Sequence, residues 1–310
     1  MILKPLHQGS RIAIVATARK ISREELAPSI ELFSSWGLQV VESPGLYEIE
    51  NQMAGSDKNR TQMLQWALDD DSIEAIICAR GGYGTVRIID QIDFSHFAQH
   101  PKWIIGYSDV TVLHSHIQKN FGIPTLHAIM PINIPSDAVT KEYPAIESLK
   151  VLLFGMPWNY TNTSFPTDSS VSNRSGYAEG ILTGGNLSIL YSLLGSASDI
   201  DTDGKILFIE DLDEYLYHID RMVMALKRAG KFSRLKGLIV GAMSDMHDNT
   251  IPFGKTAKEI ISDAVKEYQF PVFYNGEFGH IGTENLALPL GRKIALNIDR
   301  MGICTLSPLS

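Results

Sequence analysis

Three residues far apart in the chain have types that together could cut an acyl bond. Ser108 stands in "WIIGYSDVTVLH", where an apolar strand runs through a glycine and a serine straight into a helix. A strand before and a helix after would hold the hydroxyl on a sharp corner, with the first helical N–H groups facing whatever it attacks. Glu210 directly follows the apolar run "KILFI", and His280 ends "YNGEFGH". A serine hydroxyl is a poor nucleophile until a histidine accepts its proton, and a carboxylate must hold that imidazole in one tautomer and stabilise its cation. The chain order Ser, Glu, His is one of several in which this constellation occurs. Each residue also has a plainer reading. Serine caps helices, Glu210 opens the charged run "EDLDE", and a lone histidine between turns can be purely structural.

Attack on a carbonyl creates an oxyanion, which needs N–H donors. The backbone N–H of Asp109, at the helix start, and that of Gly82, in "ARGGYGT", are the candidates. The cluster Gly81, Gly82, Gly84, preceded by Arg80, reads either as a bare-backbone ligand loop or as a tight turn needing positive φ. It spells neither a phosphate-binding loop nor a dinucleotide fingerprint. His114 and His116 are two apart on an expected helix and face different ways, so one ion could not take both. "SDMHDN" around His247 has no second His or Cys at zinc-site spacing. Neither a metal nor an organic cofactor is expected.

The elements that must position these residues alternate in type. "RIAIVATA" reads as a strand and "ISREELAPSIELFSSWG" as a helix, with Ser22 and Glu25 at capping-box spacing and Gly37 as its stop. Pro28 sits deep for a helix begun at Ser22, so it is an alternative first residue. "LQVVES", "IEAIICAR", "WIIGYS" and "PTLHAIM" read as further strands, with helices "DKNRTQMLQWALDD" and "DVTVLHSHIQKNFG" between them. Such alternation implies crossovers and a parallel sheet covered on both faces. Residues 131–175 have linker composition, apart from one helical piece. Regular signals resume with "YAEGILTGG", "NLSILYSLLG", "KILFIED", "HIDRMVMALKRAG", "GLIVGAM", "AKEIISDAVKEYQ" and "PVFYNGEFGH", the last read as a strand. The expectation is an α/β protein of two domains, 1–130 and 176–310, joined across 131–175. In open sheets ligands collect beyond the carboxyl ends of the strands, where Ser108, Glu210 and His280 all fall.

The bulk numbers agree with an ordinary globular chain. It has 310 residues, 44% hydrophobic and 20% charged, enough to bury a core of two domains. No apolar run approaches the roughly 20 residues that span a membrane, and the apolar start of the chain reads as a first strand, not a signal segment. A net charge of −8 argues against nucleic acid as a partner. Cys78 and Cys304 make no disulfide framework and read as free buried thiols in a reducing cytoplasm.

At these residues the chain resembles the LD-carboxypeptidase family of serine peptidases, which includes cytoplasmic murein tetrapeptide carboxypeptidases and a relative, the microcin C self-immunity hydrolase. The resemblance runs through "ARGGYGTVRIID", "IIGYSDVTVLH", "EGILTGGNLSILYSLLGS", "LFIEDLDEYLYHIDRM" and "GHIGTENLALPLG", in the family's order and across essentially the whole chain. It implies a Rossmann-like N-terminal domain, a C-terminal domain with β-structure of its own, and a triad assembled across their interface. By motif the nucleophile is Ser108, the orienting acid Glu210 and the base His280, with oxyanion donors at the backbones of Gly82 and Asp109. The implied substrate is a murein tetrapeptide losing its terminal D-alanine, with Arg80 and the glycine loop as candidates for the substrate carboxylate. The immunity branch cleaves an amide in a peptidyl nucleotide and would need aromatic stacking, for which Trp158, Tyr160 and Phe165 are candidates. The murein substrate is preferred, and a homodimer is the expected assembly. A non-catalytic ligand-binding protein on the same scaffold, with Ser108 only a helix cap, is the alternative from another class.

Overall fold

The computed structural model describes residues 3–162, 171–274 and 276–309. In chain order the first elements are β1 (Arg11–Val15), α1 (Arg23–Ser35), β2 (Gln39–Glu42), α2 (Asp57–Asp69), β3 (Ala75–Cys78), α3 (Ser95–Gln99), β4 (Trp103–Gly106), α4 (Thr111–Phe121), β5 (Thr125–His127) and α5 (Pro144–Leu153). Next come β6 (Tyr160–Asn162), β7 (Gly176–Asn186), α6 (Leu187–Ser192), β8 (Ile206–Leu212), α7 (Leu216–Arg228), β9 (Gly237–Ser244), α8 (Ala257–Val265) and β10 (Val272–Phe273). The chain ends with β11 (Leu288–Leu290), β12 (Lys293–Ile298) and β13 (Cys304–Pro308).

Two compact units emerge. The first holds Met1–Pro157 with Gly282–Pro289, and the second Trp158–Ile281 with Leu290–Ser310. The first unit's sheet has the order β11-β5-β4-β3-β1-β2, and β2, β1, β3, β4 and β5 pair in parallel. Strands β3 and β4 are buried at every residue, as a parallel sheet covered on both faces requires. The segment 131–157 lies in this unit, because α5 buries Ile146, Leu149, Leu152 and Leu153. The Leu153 carbonyl also accepts the Leu6 N–H at 2.8 Å.

Helix α1 starts at Arg23, with the reciprocal Ser22–Glu25 capping box formed, and it runs through Pro28. The proline removes only the bond that the Glu24 carbonyl would have accepted, and Glu24 is exposed, so water can replace it. The cap therefore outweighs the proline in setting the helix start.

The second unit's sheet has the order β10-β9-β8-β7-β12-β13-β6. Strand β7 changes partner along its length. Residues 176–181 pair antiparallel with β12, while 182–186 pair parallel with β8. On one face of the sheet, Leu207 and Ile209 of β8 join the core formed with α6, α7 and α8. Strands β11 to β13 are not among the strands read from the sequence, because three- to six-residue segments around turns carry too short a period to register. The expected strand "PVFYNGEFGH" reduces to Val272–Phe273. Beyond it lie Gly276 and Gly279, the latter at φ 105°, which suits a turn more than a ladder. Cys78 and Cys304 are free and buried, and burial pushes each thiol up to about 12. Among the described residues, no helix is long and apolar enough to cross a membrane.

Candidate active site

In the first unit, β4 ends at Gly106 and a single 3-10 turn, Ser108–Val110, leads into α4. Ser108 has φ 62°. A non-glycine residue in the left-handed region costs about 1–2 kcal/mol, and such strain collects where a side chain must be aimed. The serine does not act as a helix cap, since neither the 3-10 turn nor α4 has a side-chain cap bond. His114, fully buried on α4, donates its Nε2–H to the Gly106 carbonyl at 2.9 Å and braces the strand end. Burial pushes its imidazole down to about 4, so it stays neutral.

The glycine loop closes on this corner. A Cβ at Gly81 would lie 3.0 Å from Ser108 Cβ and 3.1 Å from its Oγ, so only glycine leaves the hydroxyl its space. Gly82 is exposed. The carboxylate of Asp109 ties the loop down, because its Oδ2 accepts the Thr85 N–H at 2.9 Å, while the Thr85 hydroxyl donates to that of Thr17 at 2.8 Å. Asp109 is 1% exposed, and burial raises its carboxyl above the usual range against the bonds from Thr85. The side chain of Asp109, and not only its backbone N–H, therefore shapes this corner. It links the two candidate oxyanion donors' segments.

In the second unit, β8 carries Glu210 at a register shift between Ile209 and Asp211. Bulges of this kind re-aim side chains. Glu210 is fully buried, and its Oε2 accepts both the Nδ1–H of His280 at 2.7 Å and the His280 backbone N–H at 3.2 Å. Ser244 Oγ donates to the His280 carbonyl at 2.8 Å, fixing the same residue from β9. Gly279 makes the approach possible. It sits at φ 105°, and a Cβ there would lie 2.5 Å from Glu210 Oε2. Burial lowers the His280 pKa, but the hydrogen bond and charge of Glu210, with the charge of Asp211, outweigh it and leave it raised. Asp211 faces the other way, accepting from Asn186 Nδ2 at 2.9 Å and the Ser188 N–H at 2.8 Å. Burial and then Glu210 push its carboxyl up to about 7.

The remaining expected residues fall as follows. Arg80 donates to the Lys20 carbonyl at 3.1 Å and lies 3.7 Å from Glu25. His247 pairs with Asp213 at 2.5 Å. Trp158 and Tyr160 pack on each other with centroids 5.0 Å apart, and Tyr160 lies 6.2 Å from Phe278. Phe165 lies outside the described residues. Asp109's carboxylate, Thr85, Ser244 and Gly279 went unnoticed in the sequence. Only Gly279 left a signal there, as the glycine directly before His280.

Comparison with known proteins covers both units. Residues 12–128 match the LD-carboxypeptidase N-terminal domain and residues 179–296 the LD-carboxypeptidase C-terminal domain. A probable murein peptide carboxypeptidase of Bacillus subtilis is 36% identical over 299 residues, covering 95% of this chain and 91% of the relative. The murein tetrapeptide carboxypeptidase of Pseudomonas aeruginosa is 24% identical over 300 residues, 94% of each chain. Among solved structures, the muramoyltetrapeptide carboxypeptidase of Oxalobacter formigenes superposes with a TM-score of 0.84 at 25% identity, covering 97% of this chain and 99% of its own. The microcin C7 self-immunity protein MccF reaches 0.84 at 23% identity, covering 99% and 98%, a likeness of fold.

Proposed function

Because the chain belongs to the LD-carboxypeptidase family, we propose that Ser108, His280 and Glu210 act together as its triad and release the terminal D-alanine of murein tetrapeptides. Membership makes the protein a serine-type carboxypeptidase. The observation that carries the finer reading is the buried contact of His280 Nδ1 with Glu210 Oε2 at 2.7 Å. With Nδ1 donating to the carboxylate, Nε2 is left as the acceptor, the tautomer a general base requires.

In this reading Nε2 takes the Ser108 proton as Oγ attacks the carbonyl of the L-configured centre of diaminopimelate. The imidazolium then protonates the departing amine of D-alanine, and water hydrolyses the acyl-enzyme by the same proton relay. The N–H groups of Gly82 and Asp109 take the oxyanion, and the Asp109–Thr85 bond holds both segments in register. Arg80 and the loop at Gly81 are the proposed partners of the leaving residue's carboxylate. A reducing cytoplasm fits the two free thiols, and a homodimer is the proposed assembly.

The deciding experiment presents three peptides at equal exposure and follows the products by mass spectrometry. The tetrapeptide should yield tripeptide and free D-alanine. The pentapeptide's D-Ala-D-Ala bond and the tetrapeptide ending in L-alanine should survive, because a fixed nucleophile and oxyanion site accept one face of the carbonyl. Comparable release from the pentapeptide would refute L,D specificity. Cleavage of an aminoacyl nucleotide with no peptide cleaved would move the protein to the immunity branch. A fluorophosphonate should label Ser108, whereas a silent binding protein would leave it unlabelled.

A further inference from the structure

The first unit carries a second group of chemistry-bearing side chains at the other end of its sheet. Asp71 lies in the turn before β3, His96 in the first turn of α3, and His100 at that helix's C-terminal cap before β4. Since β3 and β4 are parallel, both turns lie at the amino-terminal edge, whereas Ser108 follows the carboxyl end of β4. One ligand atom from each of Asp71, His96 and His100 lies within 4.8 Å of the other two. His96 Nε2 is 2.8 Å from Asp71 Oδ1, and the two imidazoles stack with centroids 4.6 Å apart.

We propose that Asp71, His96 and His100 form a binding site for a borderline divalent transition cation such as Zn²⁺. Two imidazole nitrogens and one carboxylate oxygen are the donor types such ions prefer, and donors around a tetrahedral zinc lie about 3.4 Å apart. Small side-chain rotations would bring the three groups to that spacing. Histidines four apart on one helical turn present their rings on one side, and the carriers are already fixed. Phe97, fully buried, anchors α3 from within. From α2, the Gln65 side chain donates to the Asp93 carbonyl at 2.9 Å and accepts the Asp93 N–H at 2.8 Å, just before α3.

Charge and space both suit a cation with open positions. Asp71 belongs to the run Asp69–Asp71; Asp69 accepts from Gln65 and Asp70 from Ser72, which leaves Asp71 to meet the histidines. Of the cations nearby, Lys102 is tied to the Ala67 and Asp70 carbonyls and Arg11 donates to Ser72, while Lys4 lines the adjoining cavity. A cavity of about 530 Å³ adjoins the cluster, lined by Asp71 and His100 among others, with room for the waters that would complete the coordination. The ion would clip the turn before β3 to the turn before β4. The sequence gives no hint of this, because Asp71 and His96 are 25 residues apart and only the sheet brings them together.

The test titrates ZnCl₂ by calorimetry into full-length protein previously dialysed against EDTA. The wild type should bind one equivalent, and His96→Ala and His100→Ala should each weaken binding by at least about tenfold, while His247→Ala leaves it unchanged. Zinc should also raise the wild-type melting temperature, since a ligand of the native state stabilises by mass action. Unchanged fluorophosphonate labelling of Ser108 in each variant would show that the fold is intact. Binding in the His96→Ala/His100→Ala double variant equal to the wild type would overturn the proposal, as would a wild type that binds no zinc.

Discussion

The Ser108 corner and the Glu210–His280 pair reach precision by different physical means. Ser108 is aimed by its own backbone, with φ at 62° between a strand end and a helix start. Every residue of that device lies within one short stretch, apart from the loop at Gly81 and Thr85 that leans on it. Glu210 and His280, the proposed acid and base, are aimed by packing. Glu210 on β8 and His280 beyond β10 are 70 residues apart and meet because a bulge turns one and a bare glycine admits the other. Strain stores the positioning in one residue, while packing distributes it over several. The first should therefore tolerate distant change and the second should not.

The largest expected effects are on turnover. Ser108→Ala and His280→Ala should each lower kcat by about 10⁶-fold and Glu210→Gln by about 10⁴-fold, with the effects failing to add because the groups act as a unit. Purified, folded Ser108→Ala that still released D-alanine at a near-normal rate would break the comparison at its root.

Next come the two glycines, which separate the two devices. In Gly279→Ala the new methyl meets Glu210 Oε2 at a φ that disfavours alanine. It should cost about 1–3 kcal/mol of stability and on the order of 10² in kcat/KM. In Gly81→Ala the methyl meets Ser108 at 3.0 Å with no left-handed φ to oppose it, so stability should hold while fluorophosphonate labelling slows. A Gly81→Ala protein that melts as early as Gly279→Ala would show that the serine corner, too, depends on distributed packing.

A smaller effect concerns the imidazole. Glu210 and Asp211 keep the His280 pKa above the ordinary 6.5 against the pull of burial. If His280 is the base proposed for Ser108, only its neutral ring can accept the proton, so kcat/KM should fall on the acid side with an apparent pKa above that value. Glu210→Gln removes the main opposing charge and leaves burial, so the pKa should move downward. Titration of the His280 ring protons by NMR reads this without needing activity. An unmoved value would mean that Glu210 does not set the charge of the base.

The same contrast explains how much could be read beforehand. The strand, glycine, serine and helix of "WIIGYSDVTVLH" are contiguous, so the corner was visible as a pattern. The parallel first sheet was visible for a similar reason, since its buried strands are unbroken apolar runs. Glu210 and His280 were found as types at the ends of apolar runs, but the bulge, the close glycine and the Ser244 brace depend on residues paired across strands. For Asp109 the sequence points to the backbone alone, because nothing adjacent marks Thr85 as the partner of its carboxylate. The short strands β11 to β13 were hidden by their length, and the Asp71 cluster by its separation.

The smallest effect tests strain directly. If Ser108 holds a left-handed backbone, alanine there pays the same steric cost as serine, whereas glycine does not. Glycine gains freedom in the unfolded chain, a loss of roughly 0.5–1 kcal/mol, but relief of a left-handed Cβ is worth about 1–2 kcal/mol and should win. Both Ser108→Gly and Ser108→Ala should be inactive, and Ser108→Gly should be the more stable by up to about 1.5 kcal/mol. Denaturant midpoints at constant slope would resolve the difference. At a relaxed backbone the order would reverse, with alanine the more stable, and the aim of the hydroxyl would then have to come from neighbours, as it does for His280.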